Sequence, residues 1–380
     1  MRIGLVAGET SGDVLGAGLV NAIKSKYPDA LFEGVAGPKM LAAGCEQWES
    51  SEALAVFGLV EPIAHLPRLF RLRKTLVDRW TESPPDVFIG IDAPDFNLGL
   101  EKRLRAVGIK TVQYVSPSIW AWRPGRIKTV KAAADRVLCI LPFEKPLYDA
   151  VDVDAVFVGH PKADSAPAVL DVPATRQSLG INSNEVVAIL PGSRASEIER
   201  LGEIFLTAAV TIANSRDDVC FVTPIATPAL RPAIEGQIEA AGLNDRFVLL
   251  DGESERAMIA ADVVLLASGT AALEAALLAK PTVAAYRVGR LSYAVYRCTS
   301  SSNMTHFTLP NLLTETPLVP EFMQAAAQPA AIAEEVIELL DSPERRRIIA
   351  DRFARLRVEL AQNTDQRAAD AVIELANSKA

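Results

Sequence analysis

Cysteine and histidine are scarce in this chain. Its 380 residues include four cysteines and three histidines. The cysteines are widely scattered, form no CxxC pair and do not group with the histidines, so their spacing predicts no zinc site. Reduced thiols in a cytosolic protein fit this cysteine usage best.

Long hydrophobic runs are also missing. The longest strongly apolar run, 263–273, lies between Asp262 and Glu274 and is far shorter than the roughly 18 residues that a spanning helix needs. The N-terminus leads straight into the apolar residues 3–7, without the separate regions of a signal peptide. We therefore expect any membrane contact to be peripheral.

An excess of positive charge is absent as well. The formal net charge is -8 and the pI is about 5.2, which disfavours a nucleic-acid binder because phosphate backbones require a basic face. Hydrophobic residues make up 49% and charged residues 23%, as in folded enzymes. The length suits two domains of roughly 100–200 residues each.

Short apolar runs alternate with longer helical patterns, which is typical of βαβ units and parallel sheets. Leu15, Leu19 and Ile23 predict the buried face of the first helix. We predict an α/β protein with doubly wound domains at 1–165 and 166–345, followed by C-terminal helices at 346–380 that cross or exchange between domains. The predicted strands are 3–7, 32–36, 86–91, 110–115, 136–140, 155–158, 186–190, 219–224, 247–250, 263–267 and 282–286.

A glycine-rich turn, GETSGD at 8–13, joins the first predicted strand to the first helix. Glycines allow close backbone approach, and a helix N-terminus offers free N–H groups to an anion. The turn matches neither GxGxxG nor the P-loop, so classical dinucleotide or ATP binding is not supported. A phosphate or sugar site and a purely structural turn both fit this pattern.

Two carboxylates follow another predicted strand in GIDAPDFN at 90–97. They would lie beyond the strand ends, where open α/β sheets bind ligands. Asp92 is therefore a candidate general base. The alternative is that Asp92 or Asp95 caps the following helix, as Asp often does.

The segment SPSIWAWR at 116–123 combines two tryptophans with Arg123. The tryptophans suit contact with a sugar face or acyl chains, and the guanidinium suits a phosphate. Core packing of the tryptophan pair fits the composition equally well.

The second half repeats the strand-turn-helix arrangement in LPGSR at 190–194 and ASGTAALE at 267–274. Arg194 beside a helix N-terminus suits a diphosphate, and Glu274 suits ribose hydroxyls. A surface arginine beside an ordinary turn is the alternative at Arg194.

Basic and apolar residues mix on the helix predicted at 66–80, which follows the apolar segment 56–60. Such a helix can lie in an anionic membrane interface. A solvated helix whose apolar face packs on the sheet is the alternative. His160, in GHP at 159–161, either lines the active site or positions a hinge.

This ordered series of motifs, with LPFE at 141–144 and LPNLL at 309–313, resembles the lipid-A-disaccharide synthase family almost from end to end. The resemblance implies a GT-B glycosyltransferase with two Rossmann-like domains facing a cleft. It also implies an inverting β(1→6) transfer from UDP-2,3-diacylglucosamine to 2,3-diacylglucosamine 1-phosphate. The alternatives are another UDP-sugar GT-B enzyme, such as a lipid-intermediate N-acetylglucosaminyltransferase or a UDP-sugar epimerase, and a non-catalytic UDP-sugar sensor.

The resemblance also assigns roles to residues, with Asp92 as the catalytic base. UDP would be bound by Gly192, Ser193, Arg194, Ser268, Gly269, Thr270, Ala271, Glu274 and Asn311. The acceptor would be bound by Glu9, Ser11, Gly12 and Arg123. Membrane contact would fall to Phe57, Phe70, Arg71, Arg73 and Lys74.

The resemblance further implies no cofactor, no bound metal and no nucleic-acid partner. It implies peripheral contact with anionic lipid on the cytoplasmic face of the inner membrane, and a homodimer that exchanges C-terminal helices. The role of segment 288–302 stays open.

Overall fold

The computed structural model describes residues 1–55, 62–121, 124–289 and 306–378. The chain forms two units, which we call unit 1 (Met1–Asp164 with Leu360–Ala380) and unit 2 (Ser165–Glu359). The sequence grouped residues 346–359 with the C-terminal helices, whereas they belong to unit 2 in the structure. The chain returns to unit 1 at residue 360.

Unit 1 contains a seven-stranded parallel sheet with the order β3-β2-β1-β4-β5-β6-β7. Its strands are β1 (Arg2–Ala7), β2 (Leu31–Ala36), β3 (Glu46–Ser50), β4 (Val87–Ile91), β5 (Thr111–Tyr114), β6 (Arg136–Cys139) and β7 (Ala155–Phe157). Strand β3 was not predicted, because this edge strand is mostly polar and gives no apolar pattern. The strand order reverses direction between β1 and β4.

Helices cover both faces of this sheet. They are α1 (Thr10–Lys26), α2 (Pro38–Ala42), α3 (Glu52–Ala55), α4 (Pro62–Glu82), α5 (Pro94–Ala106), α6 (Ile127–Ala133), α7 (Glu144–Asp149) and α8 (Pro161–Ser165). The predicted apolar face of α1 is confirmed, since Leu15, Leu19 and Ile23 are buried in one core. On the opposite face, Trp80 of α4 packs edge-on against Phe88 of β4.

Unit 2 contains a six-stranded parallel sheet with the order β10-β9-β8-β11-β12-β13. Its strands are β8 (Glu185–Leu190), β9 (Val219–Ile225), β10 (Phe247–Asp251), β11 (Val263–Ala267), β12 (Thr282–Tyr286) and β13 (Glu321–Met323). The three-residue strand β13 was not predicted because it is too short to show an alternating pattern. Here the order reverses between β8 and β11.

The helices of unit 2 alternate with these strands. They are α9 (Val172–Ser178), α10 (Ala195–Ser215), α11 (Arg231–Ala240), α12 (Ser254–Ala260), α13 (Thr270–Leu277), α14 (Leu309–Leu313), α15 (Pro329–Asp341) and α16 (Pro343–Leu360). Short 3-10 turns lie at Pro124–Arg126 in unit 1 and at Pro228–Leu230, Asn244–Arg246 and Gln324–Ala326 in unit 2. Within the described ranges, no helix combines the length and apolar character required to cross a bilayer.

The last helix, α17 (Thr364–Asn377), packs on unit 1 of its own chain. Ala368, Ala369 and Val372 are buried in the core that contains α1. The Asp164 carboxylate accepts the N–H groups of Asn363 and Thr364, at 3.0 and 2.7 Å, and so anchors the start of the helix. The apolar face of α17 is thus buried in the core of unit 1.

Candidate active site

Both sheets reverse their strand order, and the turns that follow the strands at each reversal carry the predicted site residues. In open α/β sheets, ligands bind at this switch point because the two flanking connections diverge to opposite faces of the sheet. In unit 1 the turns after β1 and β4 flank the switch point. In unit 2 the turns after β8 and β11 do so.

The two turns of unit 1 are in close contact. A Cβ atom on Gly8 would lie 2.4 Å from the Cβ of Ala93, and one on Gly12 would lie 3.5 Å from the carbonyl oxygen of Ile91. The missing side chain at Gly8 is therefore what lets the two turns meet. Glu9 and Ser11 are exposed at the start of α1, and the N-cap residue Glu9 makes no side-chain cap hydrogen bond, which leaves N–H groups of the first turn available to a ligand.

Asp13 is a residue of the first turn to which the sequence analysis gave no role. Its buried carboxylate accepts three backbone N–H groups, from Gly37, Lys39 and Met40, at 2.9 to 3.0 Å. These donors lie after β2 and at the start of α2. Asp13 therefore fixes one end of the GETSGD turn to the neighbouring loop. The turn is structural at Asp13 and exposed at Glu9 and Ser11.

Asp92 has an unusual backbone conformation. Its φ is 52° and that of Ala93 is 41°, so two consecutive residues with side chains are left-handed. Helix α5 has Ala93 as its N-cap, so neither Asp92 nor Asp95 occupies the N-cap position. Asp95 instead pairs with Arg126.

Two buried amides hold this strained turn in place. The Nδ2 of Asn97 donates to the carbonyl oxygen of Asp92 at 2.9 Å, and the Nε2 of Gln113 donates to the same oxygen at 3.3 Å. Both side chains are fully buried. Nothing in the sequence pattern indicated this pair, apart from the presence of Asn97 in the GIDAPDFN motif.

Burial makes the Asp92 carboxylate a stronger proton acceptor than an ordinary aspartate. Its side chain is half-buried, and burial raises the pKa of the carboxyl above its ordinary value, an effect opposed by the N–H of Ala93. A raised pKa makes a carboxylate a better proton acceptor while it still ionises at moderate pH. This arrangement suits a general base.

The tryptophan-containing loop is partly packed into unit 1. The Nε1 of Trp120 donates to Glu144 at 3.2 Å, and its ring lies edge-on to Phe143. Burial raises the pKa of Glu144 to about 7. The packing interpretation therefore applies to Trp120, while Trp122 and Arg123 lie outside the described residues.

His160 is buried beside the start of α8. The ring Nδ1 accepts the backbone N–H of Lys162 at 3.2 Å, and the backbone N–H of His160 donates to the carbonyl oxygen of Leu360 at 2.8 Å. Burial lowers its pKa to about 4, so the ring is neutral at neutral pH. These contacts favour the positioning interpretation of His160 over direct chemistry.

Unit 2 contains a cavity of about 600 Å³ at its switch point. Four turns at the carboxyl ends of parallel strands line it, together with Tyr286 at the end of β12. All the predicted UDP-binding residues except Asn311 are in the lining: Gly192, Ser193, Arg194, Ser268, Gly269, Thr270, Ala271 and Glu274. The structure thus brings together residues from two motifs that lie about 75 positions apart in the sequence.

The cavity also contains residues that sequence reasoning missed. They include Pro224 near the end of β9, Ala226 after it, and Gly252, Glu253 and Ser254 after β10. Gly252 and Glu253 are both left-handed, with φ values of 70° and 54°. A signal was available, because these residues also follow predicted strands and parallel strands present their carboxyl ends at one edge of the sheet.

Arg194 projects into this cavity from the N-cap position of α10. Its side chain is 61% exposed, and its Nη1 lies 3.3 Å from Oε1 of Glu197. Across the cavity, Gly269 precedes α13, and apart from its chain neighbours no atom of the described residues lies within 4 Å of the position that a Cβ would take there. The N-terminus of α13 is thereby open to a ligand.

The buried Asn311 side chain is hydrogen-bonded within the chain. Its Nδ2 donates to Val319 and Glu321, at 2.7 and 2.9 Å, and its Oδ1 accepts the N–H groups of Leu318 and Val319. Every polar atom of this buried side chain is therefore used within the chain. Asn311 fixes the segment that leads into β13 and does not line the cavity.

Helix α4 has one buried and one exposed face. Leu69, Leu76 and Trp80 are buried in the core, whereas Phe70 is 56% exposed and Arg71 and Lys74 are exposed. The alternative of a helix with an apolar face on the sheet is thus correct for one side of α4. Phe57 lies outside the described residues.

Arg73 does not belong with the exposed cations of α4. Its guanidinium lies 4.9 Å from the ring centroid of Phe96 and donates to the carbonyl oxygen of Asp95 at 3.0 Å. Burial lowers its pKa, with a smaller contribution from Arg103. Arg73 therefore connects α4 to α5 within unit 1.

No group of three or more His, Cys, Asp or Glu side chains in the described part of the chain has the arrangement of a metal site. The polar groups at the two switch points include carboxylates, hydroxyl groups, backbone N–H groups and the guanidinium of Arg194. Such groups suit hydrogen bonding to sugars and to a diphosphate.

Known proteins resemble this chain in fold and in sequence. Two solved structures, a glycosyltransferase from Rickettsia africae ESF-5 and a UDP-GlcNAc 2-epimerase from Neisseria meningitidis bound to UDP-GlcNAc, both 11% identical, give TM-scores of 0.59 and 0.60. The first alignment covers 100% of this chain and 99% of the other, and the second covers 99% of each. These likenesses and the two parallel α/β units confirm the predicted GT-B class.

Sequence comparison identifies the family. A lipid-A-disaccharide synthase from Pseudoalteromonas translucida (strain TAC 125) is 45% identical over 379 residues, which cover 100% of this chain and 98% of the relative. The model of the lipid-A-disaccharide synthetase family matches residues 3–376. This match includes both switch points and the C-terminal helices, and we conclude that the chain belongs to the lipid-A-disaccharide synthetase family.

Proposed function

We propose that this enzyme joins UDP-2,3-diacylglucosamine to 2,3-diacylglucosamine 1-phosphate and releases UDP. The observation that carries the proposal is the family match over nearly the whole chain. The acceptor 6-hydroxyl attacks C1 of the donor sugar, the new O6–C1 bond forms, and the bond from C1 to the UDP oxygen breaks. UDP leaves with the electron pair, and the configuration at C1 is inverted.

The donor binds in the cavity of unit 2. Its diphosphate lies against Ser193, Arg194 and the backbone of Gly269, Thr270 and Ala271, where two helix N-termini and a guanidinium balance its charge. Glu274 accepts hydrogen bonds from the ribose. The base lies against the turns after β9 and β10, since these form the rest of the lining.

The acceptor binds to unit 1, and Asp92 removes the proton from its 6-hydroxyl. The support is the raised pKa of Asp92, its strained backbone and the two buried amides that fix it. Glu9, Ser11 and Gly12 contribute the open N-terminus of α1 on the neighbouring turn. Arg123 is proposed here on the resemblance alone.

The reaction can be tested directly with detergent-solubilised substrates. We expect a disaccharide 1-phosphate and UDP to appear in equal amounts, measured by mass spectrometry and by UDP release. Epimerisation of a UDP-sugar without an acceptor, or transfer to a different acceptor, would contradict this proposal. UDP binding without any product would point to a nucleotide-sugar sensor.

We propose further that the exposed face of α4 contacts anionic lipid at the cytoplasmic face of the inner membrane. Phe70 can insert among acyl chains while Arg71 and Lys74 meet headgroup charges. Each such cation contributes on the order of 1 kcal/mol near an anionic surface. This contact would bring the enzyme to its acylated substrates. On the resemblance alone, we also propose a homodimer that exchanges its C-terminal helices, of which α17 buries its apolar face in the core of unit 1.

Reversing two charges on α4 tests the lipid contact. We expect Arg71→Glu with Lys74→Glu to lower co-sedimentation with vesicles containing phosphatidylglycerol by at least about 10-fold, because two favourable interactions become repulsive. Binding to neutral vesicles should change little. The matched control is Lys102→Glu with Lys128→Glu, which changes two exposed lysines on other helices of unit 1 by the same charge. If both double variants lost vesicle co-sedimentation equally, the net charge of the protein would explain the result, and a specific role for α4 would be contradicted.

A further inference from the structure

The turn that starts α10 contains an internal carboxylate at the proposed diphosphate site. Oε2 of Glu197 accepts the N–H of Ser193 at 2.8 Å and the N–H of Arg194 at 3.3 Å. Oε1 of Glu197 lies 3.3 Å from Nη1 of Arg194. One side chain thus engages the backbone donors and the guanidinium that the proposed function assigns to the UDP diphosphate.

A carboxylate oxygen and a phosphate oxygen require the same partners. Both accept N–H groups at a helix N-terminus, and both pair with a guanidinium. The Glu197 side chain lies directly over the turn, since a Cβ atom on Gly192 would be 2.4 Å from Oε2 of Glu197. A diphosphate cannot accept the same N–H groups in the same direction while Glu197 holds them.

Charge in the cavity makes this competition important. Among the described residues of the lining, Arg194 is the one cation, whereas Glu197, Glu253 and Glu274 are acidic. A diphosphate that entered with Glu197 in place would meet a nearby like charge and a cation already paired with it. Movement of the Glu197 carboxylate away from the turn would increase its distance from the diphosphate and would free Arg194 and the two N–H groups to bind it.

We propose that Glu197 is an internal competitor of the diphosphate, and that donor binding displaces its carboxylate from Ser193 and Arg194. This inference rests on the proposed donor site in unit 2. Glu197 closes the turn when no nucleotide is present and thereby weakens the affinity for UDP. The same weakening helps product release, because UDP must leave after each transfer.

An ordinary capping box is the structural alternative for these contacts. In that motif a Glu or Gln at the third helical position accepts the N-cap N–H, and glutamine serves as well as glutamate. A capping role alone predicts that Glu197→Gln leaves UDP affinity unchanged. Competition by charge predicts that this substitution increases the affinity.

The test is calorimetric titration of the full chain with UDP, uridine and inorganic pyrophosphate. We expect Glu197→Gln to bind UDP and pyrophosphate about fivefold more tightly or better, because a like charge beside the anion is removed, while uridine binding is unchanged. Glu197→Ala should also bind UDP more tightly, which excludes new hydrogen bonds from the glutamine amide as the cause. The matched control is Glu199→Gln, which removes the same charge from an exposed position of α10 outside the cavity lining.

The outcomes separate this inference from the function on which it rests. Unchanged or weaker UDP binding by Glu197→Gln, with its melting temperature preserved, overturns the competition. Equal gains in UDP affinity for Glu197→Gln and Glu199→Gln overturn the competition as well, because removal of a negative charge outside the cavity would then have the same effect. Suppose the wild-type chain binds pyrophosphate but neither uridine nor UDP, and the Glu197 variants bind pyrophosphate more tightly. The proposed nucleotide site would then be wrong, while the competition by Glu197 would stand. A wild-type chain that binds none of the three probes would remove both proposals.

Discussion

Asp92→Asn lowers turnover by at least about 100-fold if Asp92 is the base, while UDP affinity stays within a factor of about two. Asparagine has the size and shape of aspartate but cannot accept the proton of the acceptor hydroxyl. UDP binding is preserved because the proposed UDP cavity lies in unit 2 and Asp92 lies in unit 1. The two measurements are steady-state turnover with both acylated substrates and calorimetric titration with UDP.

The pH dependence of the wild-type enzyme gives an independent readout. The base acts in its ionised form, so kcat/KM should rise with pH through the pKa of Asp92. Burial raises that pKa above the ordinary 3.8, which moves the acid limb of the profile to higher pH. The residual activity of Asp92→Asn should not show this limb. If Asp92→Asn loses activity but its pH profile keeps the acid limb, the limb belongs to the titration of another group.

Asp95→Asn is the matched control for this experiment. It makes the same chemical change three residues away, at an exposed carboxylate that pairs with Arg126. Surface ion pairs contribute little to stability, so we expect turnover within about threefold of the wild type. If both variants lost activity equally, the loop as a whole and not the base would be responsible.

Asp13→Ala should lower the free energy of unfolding of unit 1 by about 3–5 kcal/mol. The substitution leaves three backbone N–H groups without their charged acceptor in a buried site. The measurement is urea unfolding followed by tryptophan fluorescence. All four tryptophans, at positions 48, 80, 120 and 122, lie in unit 1, so the signal reports on this unit and not on unit 2.

Glu9→Ala provides the comparison for Asp13→Ala. Glu9 lies in the same GETSGD motif but is exposed, and its side chain makes no cap hydrogen bond to α1. We expect its unfolding free energy to remain within about 0.5 kcal/mol of the wild type. A similar loss in both variants would mean that the turn, and not the Asp13 carboxylate, sets the stability of this region.

The fold was largely predictable because its strands and helices follow simple periodicities. The strands around both switch points are apolar runs buried on two faces, and each ends in a turn with glycine or small residues. Strand β3 escaped prediction because Glu46, Gln47 and Glu49 give an edge strand no apolar signal. Strand β13 escaped because three residues cannot show a period.

The candidate site was predictable to the level of its turns, but not always to the level of single side chains. Asn311 lies in a family-like motif, yet its four hydrogen bonds connect residues seven to ten positions apart, a pattern that no local spacing reveals. Arg73 follows Arg71 by two residues on one basic helix, yet its guanidinium packs on Phe96. Helical period gives the approximate face of a residue, whereas the neighbouring helix decides whether a long side chain reaches solvent.

The sequence by itself determined the two α/β units, the turns that carry the chemistry and the family, because strand period and ordered motifs are properties of the chain alone. Tertiary structure decided which of those turns meet. The reversal of strand order places Gly8 against Ala93 in unit 1 and places Arg194 and Gly269 on one cavity in unit 2. It also decided that Asn97 and Gln113 hold Asp92 and that Glu197 engages Arg194. These contacts depend on backbone direction and burial, which arise only when the sheets have formed.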